Sequence, residues 1–209
     1  NYNLDFNPRY IIGDNLEKLE FGGYGNNEVT GPDAMHGTHV SGIIGANRKN
    51  TIGVLGVADN VKIMAIRAVP SGDERDKDVA NAIKYAVDNG AQIINMSFGK
   101  AFSPEKKWVD EAVKYAESKG VLLVTAAGND NSNVDLNPQF PSKILANGSV
   151  VNNWINVGAQ SFEEGLKSVA DFSNFGQKTV DIFAPGTAIY STVPKSKYEE
   201  KQGTSMASP

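Results

Sequence analysis

The sequence predicts a three-layer α/β domain, with a mostly parallel central sheet and helices on both faces. Three observations predict it. From Val40 onward, short apolar runs alternate with helical patterns. The longest run, Val121–Ala127 (VLLVTAA), has no polar face, as expected of a strand covered on both sides. Strands separated by helices call for parallel crossover connections rather than hairpins.

The elements follow in order. Residues 1–35 read as loop, with Gly22-Gly23, Gly25-Asn26-Asn27 and Gly31-Pro32 as turn signals and Tyr10-Ile11-Ile12 as a candidate short strand. Val61–Ala68 (VKIMAIRA) reads as a buried strand, followed by a polar loop over Ser71–Lys77. Asp78–Asp88 carries apolar residues at Val79, Ile83, Ala86 and Val87, a helical spacing, and Asn89-Gly90 stops it. Ile93–Ser97 reads as the next strand. Ser103-Pro104 opens a helix as N-cap and first helical residue; Trp108, Val109, Ala112, Val113 and Ala116 form its buried stripe, and Gly120 ends it. Trp154–Gly158 and Val180–Phe183 are shorter strands. There is no internal repeat and no linker, so residues 1–209 read as a single domain.

Composition narrows the function. The chain has 209 residues, 40% of them hydrophobic and 21% charged, the profile of a globular domain. A formal charge of −4 with scattered Lys and Arg is not a nucleic-acid footprint. The absence of cysteine excludes disulfides, thiol catalysis and thiolate-bound metal. No apolar run approaches the ~20 residues that span a membrane. The first residue is Asn1 and the last, Pro209, directly follows a motif that should open a helix, so both ends read as cut.

Three segments can do chemistry. Both histidines fall in His36-Gly37-Thr38-His39, so any imidazole chemistry near neutral pH uses one of them. Read as metal ligands, Asp33, His36 and His39 are spaced three apart, but Gly31-Pro32 opposes a helix from Asp33 and no further histidine or cysteine completes a site. Gly203-Thr204-Ser205-Met206-Ala207-Ser208-Pro209 places a serine at a turn entering a helix, where its own N–H points toward an anion; the plainer reading is an N-cap. Ala126-Ala127-Gly128-Asn129-Asp130 ends the longest apolar strand, where parallel sheets bind ligands; the plainer reading of Asn129 is a turn residue.

Taken together and in this order, these segments resemble the subtilisin-like (subtilase) family of serine peptidases. The matching residues are HGTHVSGIIGA at 36–46, NMSFG at 95–99, AAGN at 126–129, FAPG at 183–186 and GTSMASP at 203–209. The resemblance runs from about residue 33 to residue 209, with residues 1–35 standing before the histidine motif as an insertion. It implies a serine endopeptidase acting on polypeptides, with Ser205 as nucleophile, His36 as general base and Asn129 as side-chain donor to the oxyanion. It gives His39 a structural role. Ser97, Phe98 and Gly99 would line one side of the pocket for the residue before the scissile bond, and Ala126, Ala127 and Gly128 the other. Phe98 stands where the family often has leucine, which implies an apolar or broad preference. Secretion or export is the family expectation. No cofactor is implied; calcium is frequent in the family, but no ligand set stands out here.

One part is missing from the pattern. The family supplies a carboxylate for the histidine from an Asp-Ser/Thr-Gly turn, and no such tripeptide occurs in residues 1–35. Asp14, after Tyr10-Ile11-Ile12-Gly13, is the nearest candidate there, with Asp5 and Asp33 behind it. The expectation is that the aspartate lies upstream and that the 209-residue piece alone is weakly active or inactive. The competing readings are a non-catalytic subtilase-like module that binds extended peptide, and a metal-dependent hydrolase using Asp33, His36 and His39.

Overall fold

A computed structural model describes residues 9, 13–15, 17–20, 23–69, 74–163, 165 and 168–209. Four strands, β1 (Ile93–Met96), β2 (Leu122–Ala126), β3 (Trp154–Gln160) and β4 (Ile182–Pro185), form one parallel sheet in the order β1-β2-β3-β4. Ile93 pairs with Leu122, Leu123 with Trp154, and Val157 with Ile182. A two-stranded antiparallel ribbon, β5 (Ile189–Val193) with β6 (Lys197–Lys201), follows. The helices are α1 (Met35–Gly45), α2 (Asp76–Asp88), α3 (Lys106–Ser118) and α4 (Thr204–Ala207).

Side-chain alternation makes the layers. Val79, Ala80, Ile83 and Val87 of α2 and Val109, Ala112, Val113 and Ala116 of α3 pack with Met96, Leu123 and Trp154 into one core. Val157, Ala159 and Ala207 of α4 form a second, against Val124 and Ile155. Leu123 and Val124 therefore serve opposite faces, as do Trp154 and Ile155, because successive strand residues point to opposite sides. The predicted class stands. Both long helices end on a left-handed glycine, Gly90 at φ 84° and Gly120 at φ 70°, where a side chain would be strained.

Several local expectations change. Val61–Ala68 joins no ladder, and Val61, Ile63 and Met64 are exposed. Apolar residues make a strand only where a partner edge meets their N–H and C=O groups. The outer edge of β1, where Ile93 is exposed, pairs with no strand among the described residues. Ser103 does not cap α3, which starts at Lys106: its hydroxyl donates to Asp76 at 2.8 Å, a carboxylate that also accepts from Glu105 N. Asp76 and Lys77 belong to α2 rather than to the preceding loop. Tyr10-Ile11-Ile12 lies outside the described residues.

Candidate functional site

The carboxyl ends of β1 and β2 are neighbours, so the segments that leave them, Ser97–Gly99 and Ala127–Asn129, lie side by side. Gly128 turns sharply at φ 105°, and any side chain there would collide with the Asn174 amide. Asn174 is fully buried, and its amide organises the whole turn. It donates to Ala127 O at 2.9 Å and accepts from Asp130 N at 2.9 Å and Ser132 N at 3.0 Å. Nothing in Ser173-Asn174-Phe175 signals this role in sequence. Asn174→Ala leaves the buried Ala127 O and the less buried Asp130 N and Ser132 N without that partner, and the protein is expected to lose about 1–3 kcal/mol, read from denaturant midpoints.

The Ser205 segment is fastened from two sides. Ser97 Oγ donates to Ser205 O at 2.9 Å and shares a hydrogen bond with Ser208 Oγ at 2.8 Å. On the other side, Asn129 Oδ1 accepts from Thr204 N and Thr204 Oγ1, both at 2.9 Å. With its oxygen so engaged, Asn129 presents Nδ2 away from Thr204. A Cβ built at Gly203 would sit 3.5 Å from that Nδ2 and 3.7 Å from Ser205 N. Asn129 Nδ2 and Ser205 N thus both lie close to Gly203.

His36 sits in the first turn of α1, and α1 contacts α4, the helix that carries Ser205. Ser205 Oγ donates to Ser97 O at 3.0 Å. His36 has no hydrogen-bond partner among the described residues. Its ring is exposed on one side, yet protein atoms crowd the other. That desolvation, followed by repulsion from His39, lowers its pKa below the ordinary 6.5, against an opposing pull from Asp33. A depressed imidazole stabilises the fold fully above pH 6.5, and this contribution is lost as pH falls through the folded value. In the 209-residue chain, an NMR titration of the His36 ring is expected to show a midpoint below 6.5. A midpoint above it would show that a carboxylate reaches the ring.

The remaining candidates are placed as follows. Phe98, Gly99 and Ala126 line a cavity of ≈ 270 Å³ with Phe140, Leu145 and Trp154. Ser97 and Ala127 are buried beside it, and Gly128 is half-buried. A wider, more open hollow of ≈ 520 Å³ beside Phe162 contains none of the candidate residues. Asp14 is buried in ion pairs with Arg9 and Lys77. Asp33 accepts from Met35 N at 2.8 Å. His39 is buried against Glu199 O. Asp33, His36 and His39 do not form a ligand set, and no group of three or more His, Asp or Glu among the described residues could hold a metal ion.

Fold and site together define a parallel α/β domain with a serine segment and a histidine helix in contact. The Peptidase_S8 subtilase family matches residues 4–209, and the chain belongs to that family. It is 39% identical over 175 residues to the thermophilic serine proteinase of Bacillus sp. (strain AK1), covering 83% of this chain and 40% of that protein. Thermitase of Thermoactinomyces vulgaris is 37% identical, covering 83% of this chain and 57% of thermitase. The crystal structure of a cold-adapted subtilisin-like serine proteinase superposes with a TM-score of 0.68 at 33% identity, over 84% of this chain and 57% of that one. The chain thus spans about half the length of these relatives.

Proposed function

We propose that this chain carries the nucleophile, general base and oxyanion donors of a serine endopeptidase that hydrolyses polypeptides through an acyl-enzyme on Ser205. The observation that supports it most is the nearness of Ser205 N and Asn129 Nδ2 to each other beside Gly203, with Asn129 Oδ1 tied to Thr204. A carbonyl oxygen there would meet two N–H donors as it gains charge. Ser205 Oγ turns from Ser97 O toward His36, which takes its proton as the C–O bond forms. The tetrahedral intermediate collapses, and His36 returns the proton to the leaving amine. Water, activated by the same ring, then cleaves the ester.

Asp14 is tied up by Arg9 and Lys77. Asp33, which pulls on His36, makes no hydrogen bond to its ring. Both facts support an aspartate upstream as the third member of the triad; Asp5 lies outside the described residues. Without an acceptor to fix the tautomer of His36, the 209-residue chain alone is a weak catalyst. The cavity favours a large apolar side chain on the acyl side of the cleaved bond. Phe98, Phe140, Leu145 and Trp154 line it, while Lys106 and Lys143 at its edge pair with Asp110 and Asp181, both at 2.5 Å. On this reading residues 1–209 act as one domain, with 1–35 inserted ahead of the histidine motif. No cofactor takes part. Among the described residues no helix is long and apolar enough to cross a membrane.

A fluorophosphonate probe tests the reading, with the adduct located by peptide mass spectrometry. Labelling of Ser205 in the full-length protein, abolished by His36→Ala, is the expected result. A folded full-length protein that binds peptide but stays unlabelled would instead be a binding module.

A further inference from the structure

We propose that His39, Ser191 and Thr192 form a positioning clamp that sets the separation of His36 from Ser205. The proposal rests on the peptidase reading above and adds to it three residues that touch neither substrate nor the reacting atoms. Helix α1 is bonded to the β5–β6 ribbon just after His36. Ser191 Oγ donates to His39 O at 2.8 Å and Thr192 Oγ1 to Thr38 O at 2.9 Å. His39 Nε2 lies 3.0 Å from Glu199 O. A carbonyl only accepts, so Nε2 carries the ring hydrogen, and the buried Nδ1 has no partner. His39 and Ser191 are both fully buried, so water does not compete for these bonds. The helix comes so close that a side chain at Gly42 would clash with both hydroxyls.

The ribbon is joined to the Ser205 segment by a short connection, since β6 ends at Lys201 and α4 begins at Thr204. From Glu199 the chain passes Gly203, whose N–H is fixed on Gly186 O at 2.8 Å, and reaches Ser205 two residues later. His36 stands one turn before His39 on the other side of the clamp. Glu199 and His39 are 160 residues apart in sequence, so local chain connectivity does not hold the base near the serine. The clamp does so through side-chain donors aimed at main-chain carbonyls. Its loss would shift α1 against the serine segment and leave the oxyanion donors and the cavity in place.

In the full-length protein, His39→Phe keeps a ring but removes the donor. The expected result is a fall in kcat of about 10- to 100-fold, with KM within about twofold, since a displacement near 1 Å costs on that order. Fluorophosphonate labelling of Ser205 should slow in parallel. His39→Gln, whose amide can donate to the same carbonyl, should recover most of the loss. Should His39→Phe fail to fold, the paired change Ser191→Ala with Thr192→Val leaves the imidazole intact and should show the same kcat-selective loss. Wild-type kcat in either folded variant overturns the clamp. So does an equal deterioration of kcat and KM that glutamine does not relieve. Failure of the peptidase reading is visible separately, because the unmodified protein would then not label at Ser205, and the clamp would fall with it.

Discussion

Ser205→Ala in the full-length protein is expected to lower kcat on a peptide substrate about 10⁶-fold, the scale known for the serine and histidine of subtilisin itself. His36→Ala should match it, and the double variant should be no slower than either single one. The reason is physical. The proton on Ser205 Oγ must leave as the new C–O bond forms, so a serine without its base, or a base without its serine, supplies no part of the step. What remains in each variant is binding and the oxyanion donors, worth about 10³–10⁴ over water. Steady-state kcat of the three variants checks this. Losses that multiply in the double variant would show that the two residues act separately, which the proposed mechanism does not allow.

Asn129→Ala should lower kcat about 10²–10³-fold, the loss known for removing the same kind of donor from subtilisin, with KM nearly unchanged. A substrate carbonyl is only weakly charged in the ground state, so the amide matters chiefly once the oxygen becomes anionic. This chain adds a structural reason for the size of the effect. Thr204 holds Asn129 Oδ1 with two hydrogen bonds, so Nδ2 is oriented before any substrate arrives. Asn129→Asp should be worse than alanine, because it places an acceptor where a donor is needed. A rise in KM at constant kcat would assign Asn129 to substrate binding instead.

Much of the fold was legible in sequence because it is written in short-range periodicity. The stripes of α2 and α3 and the glycines that end them lie within one helix length, and four strands were found at nearly their observed places. The failures share a cause in long-range geometry. VKIMAIRA has the composition of a strand, but strand formation depends on an edge that local sequence does not describe. The β5–β6 ribbon escaped notice because its turn places Lys195 and Ser196 at φ 66° and 54°, with no glycine or asparagine to announce it. For the site, the motifs named Ser205, His36 and Asn129. They could not show that Thr204 orients Asn129 across 75 residues, or that the Ser97 hydroxyl holds the serine's own carbonyl across 108.

The strand order β1-β2-β3-β4 repeats the order of the chain, and this has a kinetic consequence. Each parallel pairing closes a short loop, and the larger core needs nothing beyond Trp154 among its buried residues. Contacts of low sequence separation form early, because less chain entropy is lost in closing them. The contacts that assemble the site span far more chain: His39 to Glu199 across 160 residues, Thr192 to Thr38 across 154 and Ser97 to Ser205 across 108. They wait for residues 192–205 to dock on a scaffold that is already standing. A nascent chain can therefore bury β1, β2 and β3 before it brings His39, Thr38 and Ser97 to their partners in residues 192–205.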